Sequence, residues 1–383
     1  MPDFLFFGDT ERSPAMRHEL PVGIGDPFVL AVVDGKLHVM VSDLDRSRVE
    51  AAAPGATVLG FKELGLFELL DQGLRHHEID LELSSRAVAR IGIREAIADP
   101  EMPVFIADRF RADGIVLHLD HAAVAARRRV KTAAEMAGIR RAQTAAEAGL
   151  RAAADIFRRT AVDGDGLVAD GETLTSNRVR AAIRAACQEH GAPAPTDLIV
   201  SSAWEGGGHE PGSGPLPANL PIVIDLWPRD EESGCHADMT RTFVVGEVPA
   251  VVRELETLVR SALERAREAV RPGVTGEALY AIACDIFEDA GHRTLRTGPG
   301  DDREEGFQFS LGHGVGLAVH EGPGVGPVGR DEFVPGDVIA IEPGLTVSGI
   351  GEVRLEDLLL VTEDGSETLT RYPYDLTVSP SPG

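Results

Sequence analysis

The sequence predicts a two-domain protein of the mixed α/β (α+β) class, and three observations predict it. First, 383 residues, 43% of them hydrophobic and 26% charged, are enough for two domains with a large buried core. Second, the N-terminal third alternates short apolar runs with turns. Third, the remainder alternates helical periodicity with β-rich runs, several carrying an acid near the middle or the end.

The N-terminal domain is expected over residues 1–126. Its clearest signal is a hairpin: Phe28–Val33 and Leu37–Val41 are β-rich, and Asp34-Gly35 plus one further residue joins them. The domain ends near a strand at Gly114–Leu117. Arg127-Arg128-Arg129 then reads as an exposed linker rather than a nucleic-acid patch.

The second domain is expected over 127–383. Met136, Ile139, Ala146, Leu150, Ala154 and Phe157 recur at helical steps and predict one long helix. Val179, Ile183 and Ala186 predict a second, stopped at Gly191. Leu255, Leu258, Ala262 and Ala266 predict a third. A fourth runs from a Thr275 cap through Leu279, Ile282 and Ile286 to Gly291. Strands are expected at 197–202, 222–227, 237–245, 337–342 and 353–362, and the Pro- and Ser-rich tail after Tyr374 is expected to fray.

Composition excludes several functions. No run of about 18 apolar residues exists, so no membrane span is expected. A net charge of −25 repels nucleic acid and anionic membranes. Cys187, Cys235 and Cys284 are scattered without a CxxC, which fits reduced, buried thiols. The opening MPDFLFFGDT has no basic region before its apolar run, so a cytoplasmic location is expected.

Four features of the second domain could carry chemistry. Asp225 lies inside the apolar run Ile222–Trp227, where an unpaired acid costs several kcal/mol. Asp238 lies in His236–Thr242 after the polar turn Pro228–Gly234, so a hairpin would set the two aspartates side by side. Close carboxylates raise each other's pKa unless a cation neutralises them. Gly312-His313-Gly314-Val315-Gly316-Leu317-Ala318-Val319-His320-Glu321 holds two histidines in a spacing unlike the HExxH zinc helix. Ile341-Glu342-Pro343-Gly344 and Val353-Arg354-Leu355-Glu356-Asp357 each place a glutamate at or near a strand end. Singly, such residues are usually edge or surface groups. Together, four carboxylates and an imidazole suit Mn²⁺ or Co²⁺ better than a thiolate zinc site. Bridging carboxylates could hold two ions about 3.5–4 Å apart with a hydroxide between them.

These motifs resemble the pita-bread metallopeptidases, the group of aminopeptidase P, prolidase and methionine aminopeptidase. Arg129-Val130-Lys131 with Glu135, the HGVGLxxHE segment and the IEPG segment all match its pattern. The resemblance implies a creatinase-like N-terminal domain before a pita-bread catalytic domain. It implies two divalent ions per chain: Asp225 on one, His313 and Glu342 on the other, Asp238 and Glu356 bridging. It implies that Glu342 also shuttles a proton, that His320 and His209 contact substrate, and that Arg354 marks the proline-directed branch. The implied activity is hydrolysis of Xaa-Pro bonds by a homodimer, as dipeptidase or aminopeptidase, and the shortness of HGVGLxxHE favours dipeptides. Two departures bear on substrate: the Asp225–Asp238 turn is longer than the family's, and Phe309 replaces a common histidine. An amidohydrolase acting on a small solute, or a non-catalytic binding protein on the same fold, stays as the alternative.

Overall fold

The computed structural model describes residues 2–203, 210–298 and 305–377. They form two compact units, Met1–Arg128 and Arg129–Gly383.

The first unit runs β1 (Phe4–Gly8), α1 (Pro14–Glu19), β2 (Phe28–Val33), β3 (Lys36–Val41), α2 (Arg46–Ala52) and β4 (Thr57–Gly60). It continues with α3 (Leu66–Asp71), α4 (His76–Ile91), β5 (Glu95–Ala98), α5 (Val104–Ala112), β6 (Val116–Leu119) and α6 (His121–Arg127). Its six strands make one mixed sheet in the order β4-β3-β2-β1-β5-β6. Side chains alternate between two cores. Leu5, Phe7, Val29 and Ala31 face α3, α4 and α5, and Phe4, Phe6, Leu30 and Val32 face α1, α2 and α6. Burial on both faces explains the continuous apolar runs of β1 and β2. The expected hairpin is present, but Lys36 pairs with Val33, so only Asp34 and Gly35 turn. Their φ values of 49° and 75° both lie in the left-handed region that a two-residue hairpin turn requires.

The 127–129 arginines are not an exposed linker. Arg127 pairs with Glu19 and lies 4.6 Å from the Phe4 ring centroid. Arg129 donates to both Asp337 oxygens at 2.8 and 2.9 Å. The carboxylate partners lie about 100 and 200 residues away in sequence, beyond the reach of local pattern.

The second unit opens on α7 (Ala133–Phe157), capped by Thr132, whose hydroxyl accepts from Glu135 N while Glu135 accepts from Thr132 N. There follow β7 (Thr160–Asp163), β8 (Gly166–Ala169), β9 (Glu172–Thr173), α8 (Ser176–Glu189), β10 (Ile199–Ser202), β11 (Ile222–Leu226) and β12 (Met239–Phe243). Then come α9 (Ala250–Ala269), α10 (Gly276–Asp289), β13 (Gly312–Gly314), β14 (Glu321–Val325) and β15 (Val338–Ile341). The unit closes with β16 (Gly344–Val347), β17 (Gly351–Arg354), β18 (Asp357–Val361) and β19 (Ser366–Thr368). As expected, Thr275 caps α10 by accepting from Ala278 N.

Curved sheets separate two helix pairs. Along β15, Val338 and Ala340 pack with the core of α7 and α8, whereas Ile339 and Ile341 pack with that of α9 and α10. In β18, Leu358 and Leu359 divide the same way. Each such buried aliphatic side chain contributes about 1.5–3 kcal/mol. The expected strand over 353–362 is two strands in different sheets, broken at Leu355-Glu356. The tail is held as far as Leu376, whose carbonyl accepts from Val244 N at 2.7 Å; the expected fraying beyond lies outside the described residues.

Candidate metal centre

Asp225 sits in β11 opposite Thr240 of β12, and Asp238 immediately precedes β12. The hairpin therefore sets the two carboxylates together, as expected. The longer turn between them is fixed rather than loose. Arg141 of α7 grips Asp230 through two 2.8 Å hydrogen bonds, and Asp230 accepts from Ser233 N and Oγ. Gly138 of α7 allows this approach, since a Cβ there would lie 1.9 Å from Ser233 Oγ.

His313 occupies the middle of β13. The flanking glycines are required by neighbouring backbone: a Cβ on Gly312 would stand 1.9 Å from Ala340 O, and one on Gly314 2.4 Å from Gly322 O. His313 Nδ1 lies 3.1 Å from Gly314 O. A carbonyl only accepts, so Nδ1 carries the hydrogen and Nε2 keeps its lone pair. Nε2 lies 3.6 Å from both Asp238 Oδ2 and Glu342 Oε1.

Glu342 directly follows β15, with its N–H bonded to Leu311 O at 2.7 Å. Glu356 lies in the break between β17 and β18. There its N–H meets Thr240 O, and its Oε2 accepts from Thr240 Oγ1 at 2.8 Å. Ligand atoms of Asp225, Asp238 and Glu356 fall within 4.8 Å of one another, as do those of Asp238, His313 and His320. All five expected ligands thus share one space. His320 is near enough to count with them, but it is exposed and meets the His313 ring edge-on at 4.3 Å. His209 lies outside the described residues.

The electrostatics of the cluster favour a bound cation. Burial, then Glu356, Asp225 and Glu342, push the Asp238 carboxyl far up. Burial, then Glu342 and Asp225, do the same to Glu356. Glu342 is raised to about 8 by burial, partly offset by Arg354. Burial and His320 lower His313 to about 4, so its imidazole is neutral. Asp225 Oδ1 and Glu356 Oε1 are buried with no hydrogen-bond partner among the described residues. Unpaired buried oxygens of this kind need an explanation, and an ion supplies one. The residues fit a hard divalent cation.

The resemblance singled out Arg354 as a mark of the proline-directed branch. It is 1% exposed, and its Nη2 donates to Asp225 Oδ2 at 3.0 Å. Glu352 and Glu342 stand at 3.7 and 3.9 Å. Burial opposes its charge, but these acids outweigh that and hold it protonated. It lies behind the ligands. A second arginine, Arg330, is exposed in a cavity of about 430 Å³ that also holds Phe309, His313, His320, Val328 and Glu342. Phe309 forms its apolar wall, edge-on to Phe307 at 5.0 Å.

Sequence reasoning missed Thr240, Asp230 and the fully buried Lys131–Glu321 pair that ties the start of α7 to the His320 segment. The clustering of Thr240 after Asp238 was visible, but its role depends on Glu356, over a hundred residues away.

Comparison with known proteins agrees with this geometry. The model of metallopeptidase family M24 matches residues 137–363, which include Asp225, Asp238, His313, Glu342 and Glu356. Xaa-Pro dipeptidase of Pyrococcus furiosus is 40% identical over 155 residues, 40% of this chain and 41% of that protein. Probable dipeptidase PepE of Mycobacterium tuberculosis is 38% identical over 148 residues, 38% of this chain and 36% of that one. The matches thus span well under half the length of these curated relatives. The fold match is nearly complete: X-Pro aminopeptidase from Thermotoga maritima MSB8 superposes with a TM-score of 0.78 at 20% identity, covering 98% of this chain and 97% of that one. Prolidase from Pyrococcus furiosus gives 0.75 at 24%, covering 97% of each. A family match over more than half of the chain, around a carboxylate–histidine centre, shows that this protein belongs to metallopeptidase family M24.

Proposed function

We propose that the protein is a dinuclear-metal peptidase that cleaves Xaa-Pro dipeptides. One observation carries the reading: four carboxylates and one imidazole converge on a common space in which Asp225 Oδ1 and Glu356 Oε1 are buried and unpartnered. Asp225 would hold one ion, His313 and Glu342 the other, with Asp238 and Glu356 between them. The oxygen-rich set favours Mn²⁺ or Co²⁺. Bound there, the ions supply a water acidified toward neutrality and a polarised scissile carbonyl.

The chain's own residues supply the rest. Glu342, at the edge of the cavity beside His313, is the carboxylate placed to take the proton of the attacking water and pass it to the departing amine. His320, exposed beside His313, donates to the oxygen that becomes negative. Arg354 acts as a positioning residue, fixing Asp225 and compensating Glu352.

Proline after the scissile bond gives a tertiary amide without an N–H. Its ring needs an apolar wall, and Phe309 with Val328 forms one in the cavity beside Glu342. Arg330, with no ion-pair partner among the described residues, is placed to meet a free C-terminal carboxylate. The names of the similar proteins, an Xaa-Pro dipeptidase and a probable dipeptidase, support the same substrate class.

The test is Mn²⁺-loaded protein against Ala-Pro, Ala-Pro-Ala and Ala-Ala. The reading expects Ala-Pro to be cleaved fastest and Arg330→Ala to raise KM for Ala-Pro. Equal rates for Ala-Pro and Ala-Ala would remove the proline assignment. A rate that rises with peptide length would make the protein an aminopeptidase.

A further inference from the structure

The N-terminal unit holds a cavity of about 450 Å³ that the chemistry above does not use. That volume lies within the ~300–1,000 Å³ of small-molecule sites. Phe7, Met40 and Leu83, buried in the core against α4, line it together with Phe28, which is buried in the core on the other face of the sheet. Phe61 and Phe105 stand in its wall, and Phe105 is 58% exposed. Beside the lining residues, Leu44 and Val104 are 89% and 72% exposed. Exposed aromatic and aliphatic surface beside a cavity is a feature of ligand-binding grooves.

The acidic residues of the lining favour a cation. Asp26, Asp45 and Asp80 border the cavity, and no lysine or arginine lines it. Asp45 is engaged by Arg48 at 3.0 Å, and Asp80 faces His76 at 3.5 Å. Asp26 has no ion-pair partner among the described residues, and it follows Ile24 on the same rim. An ammonium there would meet one unpaired carboxylate, with another within the same lining. The ring faces of phenylalanines also attract a cation, by ~0.5–1 kcal/mol at exposed sites. An anionic ligand of the same shape would be repelled.

From this geometry we infer a second ligand site, in the N-terminal unit, for a small hydrophobic primary amine: one ammonium carried on a single aromatic or branched aliphatic body. The body fills the space over Phe28 and Leu83, and the ammonium is held by Asp26. This site is independent of the metal centre and of the peptidase reading.

Calorimetric titration of the full chain tests it, with 2-phenylethylamine as the probe. Ethylamine keeps the head without the body, and 3-phenylpropionate keeps the body with the opposite charge. Saturable binding of 2-phenylethylamine is expected, at least tenfold tighter than either control. Asp26→Asn, at an exposed position, should weaken it about tenfold, which is roughly 1.4 kcal/mol. Ser42→Trp, placed in the half-buried wall, should abolish it by filling the cavity. Equal binding of 3-phenylpropionate would overturn the inference. So would unchanged binding in Asp26→Asn and in a folded Ser42→Trp, because the amine would then sit elsewhere. If Ser42→Trp does not fold, Asp26→Asn and the two controls decide alone.

Discussion

Glu342 and Asp238 show what a single buried acid does beside others. Each is driven toward its neutral form, by burial first and by neighbouring carboxylates next, with Arg354 partly offsetting both effects at Glu342. Under the proposed assignment, removing Asp238 or Glu356 removes a ligand that bridges the two ions. Asp238→Ala and Glu356→Ala should each abolish turnover and loosen at least one ion while leaving circular dichroism nearly unchanged. Near-native turnover in either variant would refute their assignment. His320 should behave differently. As an oxyanion donor its loss to Ala should lower kcat by roughly 10²–10³. The metal content measured in the same sample should not change. Loss of metal there would make His320 a ligand, which its proximity to Asp238 permits geometrically. Arg354 separates residue type from role. The sequence motif marked it as important, but only the fold places it buried and bonded to Asp225. Arg354→Ala would strand buried acids, and a loss of ~3–5 kcal/mol in unfolding free energy is expected from chemical denaturation.

At the scale of elements, strand-to-strand contact sets the site. β13 can lie between β14 and β15 only because Gly312 and Gly314 have no side chain. Gly312→Ala drives a methyl against Ala340 O, a backbone atom that cannot swing away. Such overpacking costs ~1–3 kcal/mol. A lowered Tm with weakened Mn²⁺ retention is expected, because His313 moves with its strand. An unchanged Tm would mean that the strands can separate freely. Much at this scale was legible. The Thr275 cap, the periodicity of α7 and the Asp34-Gly35 turn are local, and local chemistry determines them. What was not legible depends on distant partners. The split of 353–362 arises because β17 pairs with β16, whereas β18 pairs with β15. The engagement of Arg129 arises from Asp337. The sequence pattern singled out the five residues that the fold brings together, but not that neighbouring backbone requires the glycines around His313.

Across the whole molecule, the acidic centre makes stability depend on pH in a way that metal should reverse. Without metal, the Glu342 carboxyl has an ordinary value near 4.5 unfolded and about 8 folded. A raised acid stabilises the fold through its protonated form, so that contribution is full below about 4.5 and is lost as the pH rises through about 8. Asp238 and Glu356 are shifted in the same direction. His313 opposes them at the acid end: its pKa falls from 6.5 to about 4, so its contribution is present above 6.5 and lost as the pH falls through about 4. The metal-free protein should therefore lose Tm between pH 6 and 8. Mn²⁺, which binds only deprotonated ligands, should restore it increasingly over that range. Scanning calorimetry with and without Mn²⁺ measures both slopes, and a metal-free Tm that rose from pH 6 to 8 would contradict the buried-acid reading. The most direct measurement is the metal content of a catalytically active, Mn²⁺-reconstituted sample, counted per chain by elemental analysis. Two ions per chain are predicted, falling below two in Asp238→Ala. One tightly held ion, or none, in a sample that turns over Ala-Pro would contradict the two-metal centre.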